Sequence, residues 1–329
     1  MKSKIRRQLL ALPVAALLLA ATGAQAQGHA DYPNRPVKII APNPPGGGFD
    51  TVARIAADRL SQQLGQQFIV ENRAGGGTVV GTTAAARATP DGYTLVVGGL
   101  SNIALNPGLY KELPYDPSTD FTPVGLIATY SYTLVARKDL PQSTLKEIVD
   151  YARANPGKIN FAVGGPGTGQ QVGAAILGKL TGASFHFVPY KGAGAVYPDL
   201  LTGRVDLFYD LTGTARPYID AGSVKGIASS GASRSPVLPN VPTINESGVA
   251  TLEMETWFGL FAPAKTPAPI LEKLRAELAK IAENPEVAAH FEKLTARMVR
   301  MGPEATDAYV RAEIAKWTKL VREAGITAE

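Results

Sequence analysis

The chain has 329 residues, with 33 Lys and Arg against 28 Asp and Glu, a formal net charge of +5, and no cysteine. The missing cysteines exclude disulfides, thiolate metal sites and a lipid-modified cysteine. The three histidines, His29, His186 and His290, are scattered, with no HExxH motif and no His/carboxylate cluster, an inventory that argues against a zinc or Ser-His-Asp site.

Residues 1–26 read as a secretory leader. Lys2, Lys4, Arg6 and Arg7 form a basic end, residues 9–22 are apolar, and Ala24-Gln25-Ala26 is a small-x-small cleavage site, placing the cut after Ala26. The apolar run is short for a bilayer span, and no later segment is long and apolar enough. Four of the basic residues and none of the acids belong to this leader, so the remainder carries a net charge of about +1. That removes the case for nucleic acid as a partner. An exported, soluble chain of about 300 residues without disulfides relies on core burial and has room for two domains.

In chain order, Val37–Ala41 is an apolar strand and Gly46-Gly47-Gly48 a turn, followed by a helical pattern that Gly65 stops. A strand at 67–71, a glycine loop at 72–77, a small-residue helix at 79–88 and a strand at 93–98 follow. Residues 106–123 read as a loop layer. Residues 124–136 form a long β-like run, taken as the crossing between two domains. A helix at 144–155 precedes a strand at 159–163, a second strand-to-helix glycine loop at 164–169 and its helix at 170–181. Strands at 185–190 and 205–210 flank a short helix at 197–202, and 215–229 adds a helix and a strand. A strand at 253–261 leads into a helical tail over 270–282, 287–291 and 309–321. Strands alternating with helices predict parallel α/β sheet, in which ligands collect beyond the carboxyl ends of strands. The expected division is one discontinuous domain, 27–125 with 251–329, and an inserted domain, 126–250. That is the plan of a two-lobed, hinge-closing binding protein.

Backbone N–H groups at a glycine-rich helix start favour an anion. Ser101 and Asn102 follow a strand on the same side as the glycine loops and are further candidates for the site. Asp210, at a strand end, is another. An enzymatic reading, an exported hydrolase using Ser101 or Thr168, lacks a Gly-x-Ser-x-Gly elbow and a paired base.

The series of motifs resembles the Bug-type receptors, the solute-binding components of tripartite tricarboxylate transporters. It comprises Gly46-Gly47-x-x-Asp50 with Ala53-Arg54, Asn72 through Gly77, Pro90-Asp91-Gly92-Tyr93-Thr94-Leu95 and Pro156-Gly157-Lys158. Gly165-x-Gly167-Thr168, Val188-Pro189-Tyr190-Lys191-Gly192 and Gly203-x-Val205-Asp206 continue it. Leu238-Pro239-x-Val241-Pro242-Thr243 and Trp257-Phe258-Gly259-Leu260-x-Ala262-Pro263 close it. The resemblance covers essentially the whole chain after the leader. It implies a periplasmic, monomeric, bilobal receptor that needs no cofactor and serves integral-membrane permease subunits. Its ligand would be a small carboxylate: a dicarboxylate, a tricarboxylate, an acidic amino acid or an aromatic acid. By position, Gly46, Gly47, Phe49 and Asp50 fall in one jaw, and Gly165, Pro166, Gly167 and Thr168 in the other. Ordered waters would share in holding the carboxylate. A receptor used for sensing would differ only in its partner.

Three positions depart from the family pattern: Gly48-Phe49 replaces a small hydroxyl pair, Gln170 an often-found His, and Gly194-Ala195 an Ala-Pro pair. Two residues keep alternative roles. Asp50 either meets the ligand or caps its own helix start. Phe49 either packs beneath the loop or lines the pocket.

Overall fold

A computed structural model describes residues 31–165, 167–190 and 192–328; residues 1–30, where the expected leader falls, Pro166, Lys191 and Glu329 lie outside them. No described helix is long and apolar enough to cross a membrane.

Strand β1 (Val37–Ala41) enters the first glycine loop, and helix α1 (Gly48–Leu64) leaves it. The apolar side chains of α1 recur at helical spacing, so Phe49, Val52, Ala53, Ala56, Ala57 and Leu60 are buried together. Gly65 ends the helix in the left-handed conformation, φ 69°, its N–H donating to Ser61 O. Then follow β2 (Phe68–Asn72), α2 (Val79–Ala86) and β3 (Thr94–Gly99). The expected loop layer is partly helical. A π-helical turn (Leu100–Leu105) and α3 (Asn106–Leu109) occupy its start, because Leu100, Ile103, Leu105 and Leu109 all reach the core.

Strand β4 (Phe121–Arg137) joins the halves of the sheet. Through Ser131 it pairs antiparallel with β9 (Glu255–Pro263); from Tyr132 it pairs with β7 (Leu207–Leu211) and β8 (Val224–Ser229). Between these come α4 (Leu145–Ala154), β5 (Asn160–Val163), α5 (Gly169–Thr181), β6 (His186–Pro189), α6 (Tyr197–Leu201) and α7 (Thr212–Asp220). The sheet runs β2-β1-β3-β9-β4-β7-β5-β6. β1 is parallel to β2 and β3, and β5 is parallel to β6 and β7, as the strand–helix alternation predicts. The result is a bilobal α/β fold.

Where the chain crosses between the halves, Ser230 ties two passages together. Its hydroxyl donates to Met254 O (2.5 Å) and accepts from Tyr132 N–H (3.0 Å), and its own N–H donates to Tyr132 O. Ser230 is fully buried, so each lost bond would leave an orphaned polar group. The tail returns to the first half. Helix α8 (Ala268–Glu283) packs on β4 and α1. After α9 (Pro285–Lys293), the three-residue β10 (Ala296–Met298) adds to β4, and α10 (Pro303–Glu323) covers the π-helical turn and α3. β10 is too short to register as a periodic pattern in the sequence.

Candidate functional site

The first glycine loop is held by Asp50. Its Oδ2 accepts from Gly46 N–H (2.9 Å) and Arg54 Nε (3.0 Å); its Oδ1 accepts from Asn72 Nδ2 (2.9 Å) and lies 3.0 Å from Arg54 Nη2. Burial alone would raise the carboxyl's pKa. The hydrogen bonds from Arg54, Gly46 and Asn72, with the Arg54 charge, outweigh it and hold the group below the usual carboxylate range. Asp50 therefore spends its acceptors inside the protein. It fixes the loop to the end of β2, and it accepts from Gly46, ahead of the helix, rather than from an N–H of the helix start.

Phe49 turns inward. Its ring meets Phe258 edge-on, centroids 4.9 Å apart, and it is 7% exposed. Of its two alternative roles, the structure shows packing beneath the loop. The three glycines have separate reasons. Gly46 adopts φ +85°, a Cβ on Gly47 would collide with Asn43 Nδ2, and one on Gly48 would lie 2.7 Å from Phe258 Cζ. At the start of α1, the N-cap Gly47 and the first helical residues Gly48 and Phe49 have N–H groups without intrahelical acceptors, at the positive end of the helix dipole.

Asn102 is not at the protein surface. It is fully buried, its Oδ1 accepting from Gly99 N–H (2.8 Å) and its Nδ2 donating to Thr82 Oγ1 (3.0 Å) and Val97 O (3.2 Å). It ties β3 to α2 and the π-helical turn because the irregular backbone there needs side-chain partners. Ser101, its neighbour, is half-buried. Asp210 is also enclosed, 1% exposed, with Tyr197 Oη donating to Oδ2 (2.9 Å) and Leu211 N–H to Oδ1 (2.8 Å). Burial pushes its pKa up to about 7, against the pull of those two donors. Both side chains are enclosed and bonded within the protein in this arrangement.

In the second half, the loop from β5 to α5 repeats the glycine-rich geometry. Gly165 has φ +119° and Gly167 φ +73°. Thr168 caps α5: its hydroxyl donates to Gly165 O (2.8 Å) and accepts from Gln171 N–H (3.3 Å). Gly167 N–H donates to Gln171 Oε1 (2.8 Å). Pro166 lies outside the described residues. The start of α5 rests on the crossing. A side chain on Gly169 would meet Met254 Cε at 3.1 Å, and one on Gly173 would meet Tyr209 Cε1 at 2.7 Å, where Tyr132 and Tyr209 stack.

The two halves approach each other at a group the sequence reading did not single out. A Cβ on Gly167 would lie 3.6 Å from Asn106 Oδ1 and 3.7 Å from Gly77 O. Asn106 is fully buried, and its Nδ2 donates to Gly77 O, Thr78 Oγ1 and Tyr115 Oη. Its Oδ1 has no hydrogen-bond partner. Thr78 carries the strained φ of +81° beside it. The sequence signal was weak: an Asn before Pro107 reads as turn chemistry. The second glycine loop, 72–77, is thus the part of the first half that meets 164–169, with the Gly46 loop joined to it through Asp50 and Asn72.

A family model described as the tripartite tricarboxylate transporter family receptor matches residues 52–326. The chain belongs to this receptor family. It is 33% identical over 316 residues to protein BugT of Bordetella pertussis, covering 95% of this chain and 97% of that one. Among solved structures, an R. palustris protein with adipate superposes with a TM-score of 0.83 at 33% identity, covering 90% of this chain and 99% of that one. MatC from Rhodopseudomonas palustris with bound malate gives 0.81 at 34% identity, covering 88% and 100%.

Proposed function

We propose that this receptor works in the periplasm, captures a small carboxylate between its lobes and delivers it to the permease subunits of a tripartite tricarboxylate-type transporter. The observation that carries this reading is the meeting of two glycine-rich helix starts, 75–78 with Asn106 on one side and Gly167 on the other, in a chain related to adipate- and malate-bound proteins. Backbone N–H groups at the start of α1 and around 165–168 supply the carboxylate's hydrogen bonds. Gly46 and Gly47 shape the first jaw, and Gly165, Pro166, Gly167 and Thr168 the second. Asp50 acts through the loop it holds. The lobes are 27–125 with 251–329, and 126–250, and the protein acts as a monomer after removal of residues 1–26.

Ligand closes the lobes because it contacts both, and closure changes the surface offered to the permease. Nothing in this capture breaks a covalent bond, so the ligand leaves unchanged and the protein is not an enzyme. A thermal-shift panel of dicarboxylates, tricarboxylates, acidic amino acids and aromatic acids tests the proposal. A cognate acid at a hundredfold excess over Kd stabilises by about 2.7 kcal/mol, and mass spectrometry afterwards recovers it intact. An acid that is consumed, or a panel with no stabilising member, would overturn it.

A further inference from the structure

A second charged recess lies away from the glycine loops. It has a volume of about 60 Å³, and its walls are the start of β4 (Val124, Gly125, Leu126), one face of α8, and the segment from Val299 to Pro303 that precedes α10. It shares no residue with the loops at 46–50, 75–78 or 164–169. It also lies at the end of β4 remote from the crossing at Ser131 and Tyr132. The β4–β9 register shifts on either side of it, between Pro123 and Gly125 and again between Leu126 and Ala128. Such irregularities re-aim side chains beside sites.

Arg275 and Arg300 are the charged members of its lining, and the rest is apolar or glycine. Neither guanidinium has a carboxylate partner among the described residues. Each is held by a main-chain carbonyl instead: Arg275 Nη2 donates to Pro123 O (2.9 Å) and Arg300 Nε to Ala282 O (3.1 Å). Arg275 Nε is enclosed with no acceptor at all. Two cations positioned beside low-dielectric walls, with no carboxylate in ion-pair range among the described residues, favour a positive local potential. Planar guanidinium forks suit a carboxylate. The wall beyond them, with Leu278, Ala279 and the 42%-exposed Met301, suits a short aliphatic stem.

We propose that this recess is a second carboxylate site, which takes a short-chain aliphatic carboxylate with its head group between Arg275 and Arg300 and its stem along Leu278 and Met301. An occupant there would link β4, α8 and the start of α10 without touching the cleft.

Methionine methyl NMR separates the two sites. Of the chain's four methionines, Met301 lies in the recess, while Met254 reports on the start of α5 beside the crossing. Assigned with Met254→Leu, Met298→Leu and Met301→Leu variants, a butyrate titration is expected to move the Met301 methyl saturably. Arg275→Gln and Arg300→Gln should each weaken the apparent affinity about tenfold or more, the scale of one lost charge-assisted contact. Ala279→Phe, at an exposed position of α8, should abolish the response by filling the recess with both arginines retained. Inorganic phosphate, lacking a stem, should move Met301 less than butyrate. A Met301 methyl that stays still or drifts linearly overturns the proposal, as does a response that survives both arginine substitutions. An equal response to phosphate overturns the aliphatic stem. The Met254 signal follows the cleft, so failure of the receptor reading is seen separately.

Discussion

Asn106 and Gly167 face each other across the two halves of the molecule, with a side chain on Gly167 set to begin 3.6 Å from Asn106 Oδ1. That oxygen is buried and has no hydrogen-bond partner among the described residues. An unsatisfied buried acceptor costs about 1–3 kcal/mol. A donor placed against that oxygen, from a ligand or a bridging water, would remove the cost.

The first prediction concerns Gly167→Val. The residue sits at φ +73°, where a β-branched side chain is strained, and its methyls would enter the gap facing Asn106 and Gly77. Calorimetric affinity for the acid found in the panel should fall by about tenfold or more, equivalent to at least ~1.4 kcal/mol. The strain should cost about 1–3 kcal/mol of stability. Unchanged affinity would remove this loop from the site.

Asp50→Ala should loosen the first loop. It removes the acceptor of the exposed Gly46 N–H and one of the two acceptors of the half-buried Asn72 Nδ2, which keeps Asn43 O, a loss of about 0.5–1.5 kcal/mol per hydrogen bond. The Arg54 pairing adds little, because that guanidinium is largely exposed. The acid dependence has a definite sign. The Asp50 pKa is depressed in the folded state, so its stabilisation is present above the unfolded value near 4 and is lost as pH falls through the lower folded value. Urea unfolding from pH 7 down to pH 2 should show the stability gap between wild type and Asp50→Ala narrowing at the acid end. A constant gap would mean that the carboxylate charge is not what holds the loop.

Asp210 has the opposite sign. Its folded pKa, about 7, lies above the unfolded carboxylate value, so the folded state keeps a proton that the unfolded chain gives up. Stability then declines as pH rises from about 4 to 7, where the ionised form meets burial without a cation. Asp210→Asn should be close to wild type in Tm at pH 4.5 and more stable at pH 8.5. An equal difference at both pH values would show that Asp210 does not titrate in this range.

Trp257 and Trp317, the only tryptophans in the chain, donate to the same oxygen, Glu313 Oε2, at 3.0 and 2.9 Å. This pins α10 to β9. Glu313→Ala should leave two indole N–H groups unpaired, at about 1–3 kcal/mol each, and shift tryptophan emission. Glu313→Gln keeps an acceptor oxygen and should recover most of the stability. Emission unchanged in the alanine variant would show that the indoles find other partners.

Much of the architecture was legible in the sequence because it rests on local periodicity and on Gly and Pro punctuation. The strand Val37–Ala41, the stop at Gly65 and the long run across 124–136 needed only burial patterns and turn chemistry. The order of motifs was enough to carry the family. What the tertiary structure decided is which polar groups face the gap. Sequence position places Asn102 and Asp210 at the ends of strands on the ligand side, but partners distant in the chain, Thr82 and Tyr197, turn both inward. Phe49 could not be oriented without Phe258, more than two hundred residues away. Asn106 was silent in the sequence because its role depends on Gly167 arriving from the other half of the sheet. Helix and strand formation are set by neighbours in the chain; the saturation of a polar side chain is set by whatever the fold brings within about 3 Å of it.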